Sequence, residues 1–234
     1  MIGTIEGKFK FDCHPGLACF GQCCRDINIF LSPYDVLRMR KQLNLLSADF
    51  LNLYTIKFMA PTGFPLVFIK MREEDDLKCP FVSSKGCLVY QERPWACRMA
   101  PVDIQGQDQY GFIFDSKKCH GLKESREWTV GEWMSNQGVE IYAEVEKVFK
   151  EIPLQLRKSA QGSMDESMGE LFFNVCYDLD RFKEMVQEKD WPERHGVAPE
   201  VVARIKNNDL ELLQFGFQWL ISVPGTKLVN LSSQ

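Results

Sequence analysis

Three cysteines lie close together in one segment of the chain, Cys79-Pro-Phe-Val-Ser-Ser-Lys-Gly-Cys87-Leu-Val-Tyr-Gln-Glu-Arg-Pro-Trp-Ala-Cys97-Arg98. The strand signal within this segment is the short run 86–90, and irregular sequence surrounds it. Metal ligation commonly substitutes for a hydrophobic core in a region of this kind. The segment therefore predicts a small, irregular fold that is organised by its cysteine thiols.

The whole chain has 234 residues and nine cysteines, and the cysteine count is the one abnormal value in an ordinary globular composition. Five more cysteines precede or follow the segment above, and they are Cys13, Cys19, Cys23, Cys24 and Cys119. A chain of this length does not need so many disulfides, and clustered cysteines in a reducing compartment are more often metal ligands or redox thiols. Only Cys176 lies apart, and its helical surroundings predict a buried apolar residue.

The spacing of the cysteines disfavours a zinc knuckle. No Cys-x-x-Cys occurs, and Cys19-x3-Cys23 is the only pair with a zinc-like separation, although distant groups can still converge on one ion. Iron–sulfur clusters accept looser spacings. The same pair resembles the start of a radical-SAM loop, but the third position of that pattern is Asp26, so the assignment fails.

Cys23 and Cys24 are adjacent, and successive side chains in extended backbone point to opposite sides. Either the two thiols bind two different metals, or one binds a metal while the other packs against the fold or takes part in redox chemistry. Eight cysteines suit two four-ligand sites, or one cluster with spare thiols. Arg25 and Arg98 each follow a cysteine, and we expect them as cofactor-binding residues that offset thiolate charge; the alternative is an exposed or carboxylate-paired arginine.

Other ligand types carry weaker signals. His14 and His120 follow cysteines, and we expect loop residues beside a ligand more than ligands themselves. His195 is expected in an exposed turn. The acidic run at Asp75 and Asp76 predicts a solvated loop, because no EF-hand spacing is present. No Gly-rich phosphate loop, nucleophile elbow or zinc-protease motif occurs.

The chain divides by composition. Residues 1–124 carry 16 basic and 14 acidic side chains, whereas residues 125–234 carry 12 and 18. We predict an α+β fold, with a Cys-rich metal-binding domain at 1–124 that has short strands and helices, and a mainly α-helical region at 125–234 that packs on it. The net charge of −4 gives no reason to expect nucleic-acid binding.

Local signals predict several helices. Ser32-Pro33 with Asp35 predicts a capped helix start, and Ser47 opens another helix. Thr129-x-x-Glu132 fits a capping box, with a helix running to about residue 150. Further helices are expected at 172–186 and at 199–220, the latter with a break near 207–208, and the run 159–168 predicts a loop. The short strands are expected at 66–71, 86–90 and 110–114.

Two blocks of the sequence resemble a known family. The run from Phe11 to Arg25, with Cys13, Cys19, Cys23 and Cys24, is similar to the Cys-rich opening of the YkgJ-type cysteine-cluster proteins. The block from Cys79 to Pro101 is similar to that family's Cys-Pro-Phe, Gly-Cys-x-x-Tyr and Arg-Pro-x-x-Cys-Arg pattern. The resemblance implies a zinc- or iron-chelating or iron–sulfur domain, related to the domain of flagellin lysine methylases, where it implies a [4Fe–4S] cluster. The first block departs from the common Cys-x2-Cys-x2-Cys-Cys form.

These observations give three hypotheses. The leading one is a cytoplasmic protein that binds an iron–sulfur cluster, with [4Fe–4S] as the favoured type, through the candidates Cys13, Cys19, Cys23, Cys24, Cys79, Cys87, Cys97 and Cys119. The second is a structural zinc protein that acts as an interaction module. The third is a methyl-transfer enzyme acting on a protein, although residues 125–234 offer no methylase motif. A protein substrate or partner is expected, with no nucleic acid and no membrane.

Overall fold

The fold is that of a computed structural model, which describes residues 2–159 and 165–222. Its strands are β1 (Lys8–Lys10), β2 (Thr55–Met59), β3 (Pro65–Ile69), β4 (Val82–Ser83), β5 (Gly86–Cys87), β6 (Val102–Gly106), β7 (Gln109–Phe112) and β8 (Glu127–Thr129). Its helices are α1 (Pro33–Gln42), α2 (Ser47–Tyr54), α3 (Trp95–Met99), α4 (Val130–Gln137), α5 (Glu140–Val145), α6 (Ile152–Ser159), α7 (Glu166–Cys176), α8 (Leu179–Gln187), α9 (Trp191–Arg194), α10 (Pro199–Asn207) and α11 (Asp209–Ser222). The predicted α+β class, with the helices concentrated toward the C-terminus, is confirmed. None of these helices combines the length and the apolarity that crossing a membrane would require.

The chain folds as two compact units, and each unit is built from two separate segments. Unit 1 consists of Met1–Phe30 and Ile69–Ala143, and unit 2 consists of Leu31–Phe68 and Glu144–Gln234. All eight candidate ligands lie in unit 1, and Cys176 lies in unit 2. The predicted division into domains at 1–124 and 125–234 stays a prediction.

Unit 1 holds three short antiparallel strand pairs. β1 pairs with β8 through Phe9 and Trp128, β4 pairs with β5, and β6 pairs with β7. Trp133 lies at the centre of the core: its ring meets Phe9, Phe11 and Trp128 edge to face, with centroids 5.3 to 6.2 Å apart. Its indole N–H donates to the carbonyl of Met99 at 3.0 Å, so the apolar core also fixes the end of α3.

Unit 2 is mostly helical. Its core is formed by apolar side chains of α1, α2, α7, α8 and α11, including Val36, Phe50, Phe172, Phe182 and Phe217, each less than 3% exposed. Close approach of α11 to its neighbours depends on a missing side chain: a Cβ at Gly216 would lie 2.8 Å from Val175 and 3.0 Å from Phe182. The predicted burial of Cys176 is confirmed, because its side chain is 0% exposed on α7.

Several helix starts and one break agree with the sequence. Ser32 and Asp35 form the capping box of α1, and Thr129 and Glu132 form that of α4. α2 begins at Ser47 as predicted. The break after Asn207 is present because the side-chain oxygen of Asn208 accepts from two backbone N–H groups at the start of the next helix.

Other boundaries were predicted incorrectly. The helix after Thr129 ends at Gln137, since Gly138 adopts a left-handed conformation, and the chain restarts as α5. The span 172–186 is two helices, because Asp178 caps a new helix with its side chain on the N–H of Arg181. Of the expected strand at 86–90, only Gly86 and Cys87 are extended. In the expected loop at 159–168, residues 160–164 lie outside the described residues, and 166–168 belong to α7.

Candidate metal centre

The first four cysteines lie on an irregular segment that the rest of unit 1 holds in place. The N–H of Asp12 donates to the carbonyl of Gly121 at 3.1 Å, and the N–H of His120 donates to the sulfur of Cys19 at 3.2 Å. These bonds join the start of the chain to the turn that carries Cys119. The pKa of Cys13 is raised to about 11, first by burial and then by the thiols of Cys23, Cys119 and Cys19.

These electrostatic neighbours define the Cys13 group, which is formed by Cys13, Cys19, Cys23 and Cys119. Cys119 has the same neighbours: burial raises its pKa first, and Cys19 and Cys23 raise it further. Cys13 and Cys23 are exposed, whereas Cys19 and Cys119 are half-buried. The group thus combines three thiols of the first segment with one from a turn far along the chain.

A second set of cysteines meets through a different backbone contact. The N–H of Cys79 donates to the carbonyl of Cys24 at 2.9 Å, and the N–H of Val82 donates back to the carbonyl of Cys79 at 3.1 Å. Val82 is also the strand partner of Cys87 in the β4–β5 hairpin. Gly86, in the turn of that hairpin, lies so close to Phe20 that a Cβ there would meet the ring at 3.3 Å.

The thiols that these contacts gather form the Cys79 group, which consists of Cys24, Cys79, Cys87 and Cys97. The pKa of Cys24 is raised, mainly by the hydrogen bond that its thiol shares with Cys23, then by burial, and further by the charges of Cys23, Cys97 and Cys79. Burial raises the pKa of Cys79 to about 11, with a smaller contribution from Cys87. Cys97 is carried by α3, which Pro94 precedes as N-cap. This group is the more enclosed of the two, since Cys79 is buried.

Cys23 and Cys24 stand where the two groups meet. Both belong to a 3-10 turn, Gln22–Cys24, which follows a left-handed Gly21, and their sulfurs lie 3.9 Å apart. The hydrogen bond shared with Cys24 lowers the pKa of Cys23 to about 7, against the effect of burial. Cys23 is therefore the thiol of the pair that ionises first near neutral pH.

The two arginines expected at the site make other contacts. Arg25 donates to the backbone carbonyl of Asp75 at 2.8 Å and pairs with the carboxylates of Asp75 and Asp76 at 3.7 and 3.6 Å. Arg98 is buried, and its guanidinium donates to the backbone carbonyls of Arg93 and Gln137, each at 2.9 Å. Arg98 thereby ties α3 to the end of α4, and the cofactor-binding role of both arginines stays a prediction.

A third arginine, which sequence reasoning missed, lies beside the Cys79 group. Arg93 is buried, and burial lowers its pKa, while Tyr90, Cys97 and Cys87 favour its charged form. Burial raises the pKa of Cys87, and Arg93 in turn lowers it. The signal was available, because Arg93 stands in the Arg-Pro-x-x-Cys-Arg part of the sequence block, four residues before Cys97.

The remaining candidates lie around these groups. His14 is exposed and accepts a bond from the N–H of Gly16, and His120 is half-buried. His195 is exposed, as expected. Asp75 forms ion pairs with Arg25, Arg72 and Lys78 at 3.5 to 3.9 Å, and its side chain stays 40% exposed.

All nine cysteines are thiols, and no disulfide links them in the described parts of the chain. In those same parts, no three His, Cys, Asp or Glu side chains surround one point closely enough to hold a metal ion. The thiols of each group are thus electrostatic neighbours, but they do not surround a common metal position in the described residues.

Comparison with protein families connects this set of cysteines to metal binding. Residues 12–126, close to half of the chain, match the CxxCxxCC family, described as "Putative zinc- or iron-chelating domain". This segment is similar to the CxxCxxCC family. Every candidate ligand falls within the matched residues, so the CxxCxxCC segment is a metal-binding domain. Comparisons with curated proteins and with solved structures found no match.

Proposed function

We propose that unit 1 binds an iron–sulfur cluster, of the [4Fe–4S] type, through cysteine thiolates. The observation that carries the proposal is that backbone contacts join the first cysteine segment to the later ones: the N–H of Cys79 donates to the carbonyl of Cys24 at 2.9 Å, and the N–H of His120, next to Cys119, donates to the sulfur of Cys19 at 3.2 Å. Similarity to a zinc- or iron-chelating family supports metal binding. The lack of zinc-knuckle spacing favours iron–sulfur over zinc.

The donor set fits such a cluster in its chemistry. Thiolates are the ligands that iron–sulfur clusters use, and eight thiols stand in two neighbouring groups. Ligation requires the cysteine side chains to rotate toward a common point, because they do not yet surround one in the described residues. Exposed Cys13 and Cys23 have the solvent access that this rotation and metal entry require.

The protein's own residues set the charge and access of the site. Arg93 places a buried positive charge beside Cys87 and Cys97, and this charge favours the thiolate form of Cys87. Arg98 holds the loop that carries Arg93 in place through its bond to the Arg93 carbonyl. When bound, an iron–sulfur cluster supplies one-electron redox chemistry.

The proposed setting is the cytoplasm, where thiols stay reduced, because clustered cysteines in a reducing compartment are more often metal ligands or redox thiols than disulfides. A protein partner or substrate is proposed rather than a nucleic acid or a membrane, because a net charge of −4 provides no basic surface on balance.

Metal analysis and visible spectroscopy of the full chain, purified without oxygen, test the proposal. We expect iron and acid-labile sulfide in equal amounts and a broad absorption band that dithionite bleaches. Colourless protein that holds stoichiometric zinc and no iron would establish the zinc alternative. Protein that holds neither metal after reconstitution would reject metal binding through these thiols altogether.

A further inference from the structure

One edge of β1 has no partner strand. β1 pairs only with β8 among the described strands, and just beyond it the N–H of Phe11 donates to the carbonyl of Arg126 at 2.9 Å in the same register. Alternate residues of an antiparallel strand form their backbone hydrogen bonds on opposite sides. The N–H and carbonyl groups of Lys8 and Lys10 therefore point away from β8, and none of the described residues bonds to them there.

A cleft of about 510 Å³ lies along this open edge. All three residues of β1 line it, and the other lining residues are Ile2, Phe112, Phe114, Asp115, Ser116 and Leu122. The rings of Phe9 and Phe112 meet edge to face with centroids 5.9 Å apart, so this part of the cleft is apolar. The volume is in the range of ligand-binding clefts.

The charges of the cleft favour an anionic occupant. Lys8 and Lys10 are exposed, and neither side chain forms an ion pair in the parts of the chain that the structure describes. Glu127 stands opposite Lys10 on β8 and Glu132 is an electrostatic neighbour of Lys8, but neither comes within ion-pair distance. The carboxylate of Asp115, which also lines the cleft, already accepts a backbone N–H at 2.7 Å.

We propose that an extended acidic segment of a partner protein adds to β1 as a further strand. The segment runs antiparallel to β1, as do the strand pairs of unit 1. Directly opposite side chains lie on the same face of a sheet, so the residues opposite Lys8 and Lys10 are acidic. The residue between them is apolar, because it lies opposite Phe9 and faces the ring of Phe112.

This inference rests on the proposed function for its protein partner, and it places that partner beside the candidate metal centre. The carbonyl of Asp115 in the cleft accepts from the N–H of Cys119 at 2.8 Å. The N–H of Leu122, also in the cleft, donates to the carbonyl of Cys119 at 3.3 Å. A strand bound in the cleft therefore contacts residues that hold the turn of Cys119.

Peptides test the pairing on the wild-type chain, with fluorescence anisotropy as the measurement. The probe is a labelled, end-capped Gly-Ser-Glu-Leu-Glu-Ser-Gly peptide. We expect it to bind, and we expect weaker binding when both glutamates are replaced by lysine or the leucine by serine. N-methylation of the glutamates removes the N–H groups that face β1 and should weaken binding by roughly 10-fold. N-methylation of the leucine, whose N–H points away from β1, should leave binding unchanged.

Variants of the full chain test the two lysines. Lys8→Gln/Lys10→Gln should weaken binding of the probe by roughly 10-fold, the effect of losing two exposed ion pairs. Lys70→Gln/Lys85→Gln is the matched control, because it makes the same change of net charge at exposed lysines that do not line the cleft. Circular dichroism compares the fold of both variants with that of wild type.

Equal binding of the acidic and the lysine peptides would overturn the proposal, as would equal loss of binding in the two variants. Unchanged binding of the peptide with N-methylated glutamates, or full displacement of the probe by free glutamate, would reveal an anion site without an added strand and would also overturn it. Metal analysis of the same preparation separates the two proposals. Metal without peptide binding overturns only the added strand, and peptide binding without metal overturns only the metal site.

Discussion

The guanidinium of Arg93 lies over the ring of Tyr90, with its Cζ atom 3.9 Å from the ring centre. The same guanidinium donates to the side-chain oxygen of Gln137 and to the backbone carbonyl of Tyr90. A cation held on several sides has little freedom to move, so its charge acts on Cys87 and Cys97 as a fixed feature of the fold.

Replacing this charge should weaken metal retention at the Cys79 group. We expect Arg93→Gln to lower the affinity of that group by about 10- to 100-fold, the usual effect of losing an outer-shell partner. Competition with a chelator, followed by alkylation of Cys87 and Cys97, measures the change. Arg25→Gln is the matched control: its charge is already paired with Asp75 and Asp76, so its effect should be smaller. A larger effect at Arg25 would contradict this assignment.

The packing of α11 provides a test of unit 2. Gly216→Ala should lower the free energy of unfolding by about 1–3 kcal/mol, because the added methyl would lie 2.8 Å from Val175 and 3.0 Å from Phe182. Urea denaturation measures the loss. Gly131→Ala in α4 is the control: its nearest neighbour, a side-chain atom of Ile5, would be 3.5 Å away, so the methyl fits and raises helix propensity. Equal losses in both variants would argue against a close contact at Gly216.

Glu146 should make stability depend on pH. Burial raises the pKa of this carboxyl to about 7, with Asp35 raising it further and Ser32 and Lys150 lowering it. The pKa of Glu146 is higher in the folded protein than in the unfolded chain, so its neutral form favours folding. This contribution to stability is complete below about pH 4.5 and is lost as pH rises through about 7. At pH 8, the free energy of unfolding of Glu146→Gln should therefore exceed that of wild type by up to about 3 kcal/mol.

Urea denaturation at pH 5 and pH 8 checks this expectation. The gain from Glu146→Gln should be larger at the higher pH. The exposed neighbour Glu144 provides the control, since Glu144→Gln should change stability by less than about 0.5 kcal/mol at either pH. A gain from Glu146→Gln that does not vary with pH would show that Glu146 does not titrate in this range.

Unlike the other eight cysteines, Cys176 should contribute to stability and not to metal binding. Cys176→Ala should lower the free energy of unfolding by about 1 kcal/mol, because a fully buried sulfur is removed from the core of unit 2. Its metal content should equal that of wild type, since Cys176 is not among the electrostatic neighbours of either thiol group. Thermal unfolding and metal analysis of the same preparation measure the two effects. A Cys176→Ala variant with reduced metal content and unchanged stability would contradict a purely structural role for Cys176.

The sequence predicts those features that depend on neighbouring residues. The start of α1 follows from Ser32, Pro33 and Asp35, whose capping contacts span three residues, and the break at Asn208 is equally local. The end of α4 was missed because the capping box marks only where a helix starts, while the left-handed turn at Gly138 ends it. The Asp178 cap was missed because a continuous apolar pattern runs through it.

The candidate site shows the same limit. Residue type and the family resemblance identified the eight cysteines, and their spacing left open whether they form one site or two. Which thiols neighbour each other depends on contacts such as that between Cys24 and Cys79, which no local pattern encodes. Arg93 was missed because only arginines directly after a cysteine were considered, whereas in the fold Arg93 is the arginine that neighbours Cys87 and Cys97.

The construction of unit 1 from two separated segments has a consequence for how the protein is made. Translation proceeds from the N-terminus, so the thiols of residues 13–24 leave the ribosome first. Residues 31–68, which belong to unit 2, are synthesised before the later cysteines of unit 1. The Cys79 group has all of its members once Cys97 has emerged, whereas the Cys13 group must wait for Cys119. The enclosed set of thiols is thus complete on the ribosome before the exposed set, although the exposed set holds the first cysteine of the chain.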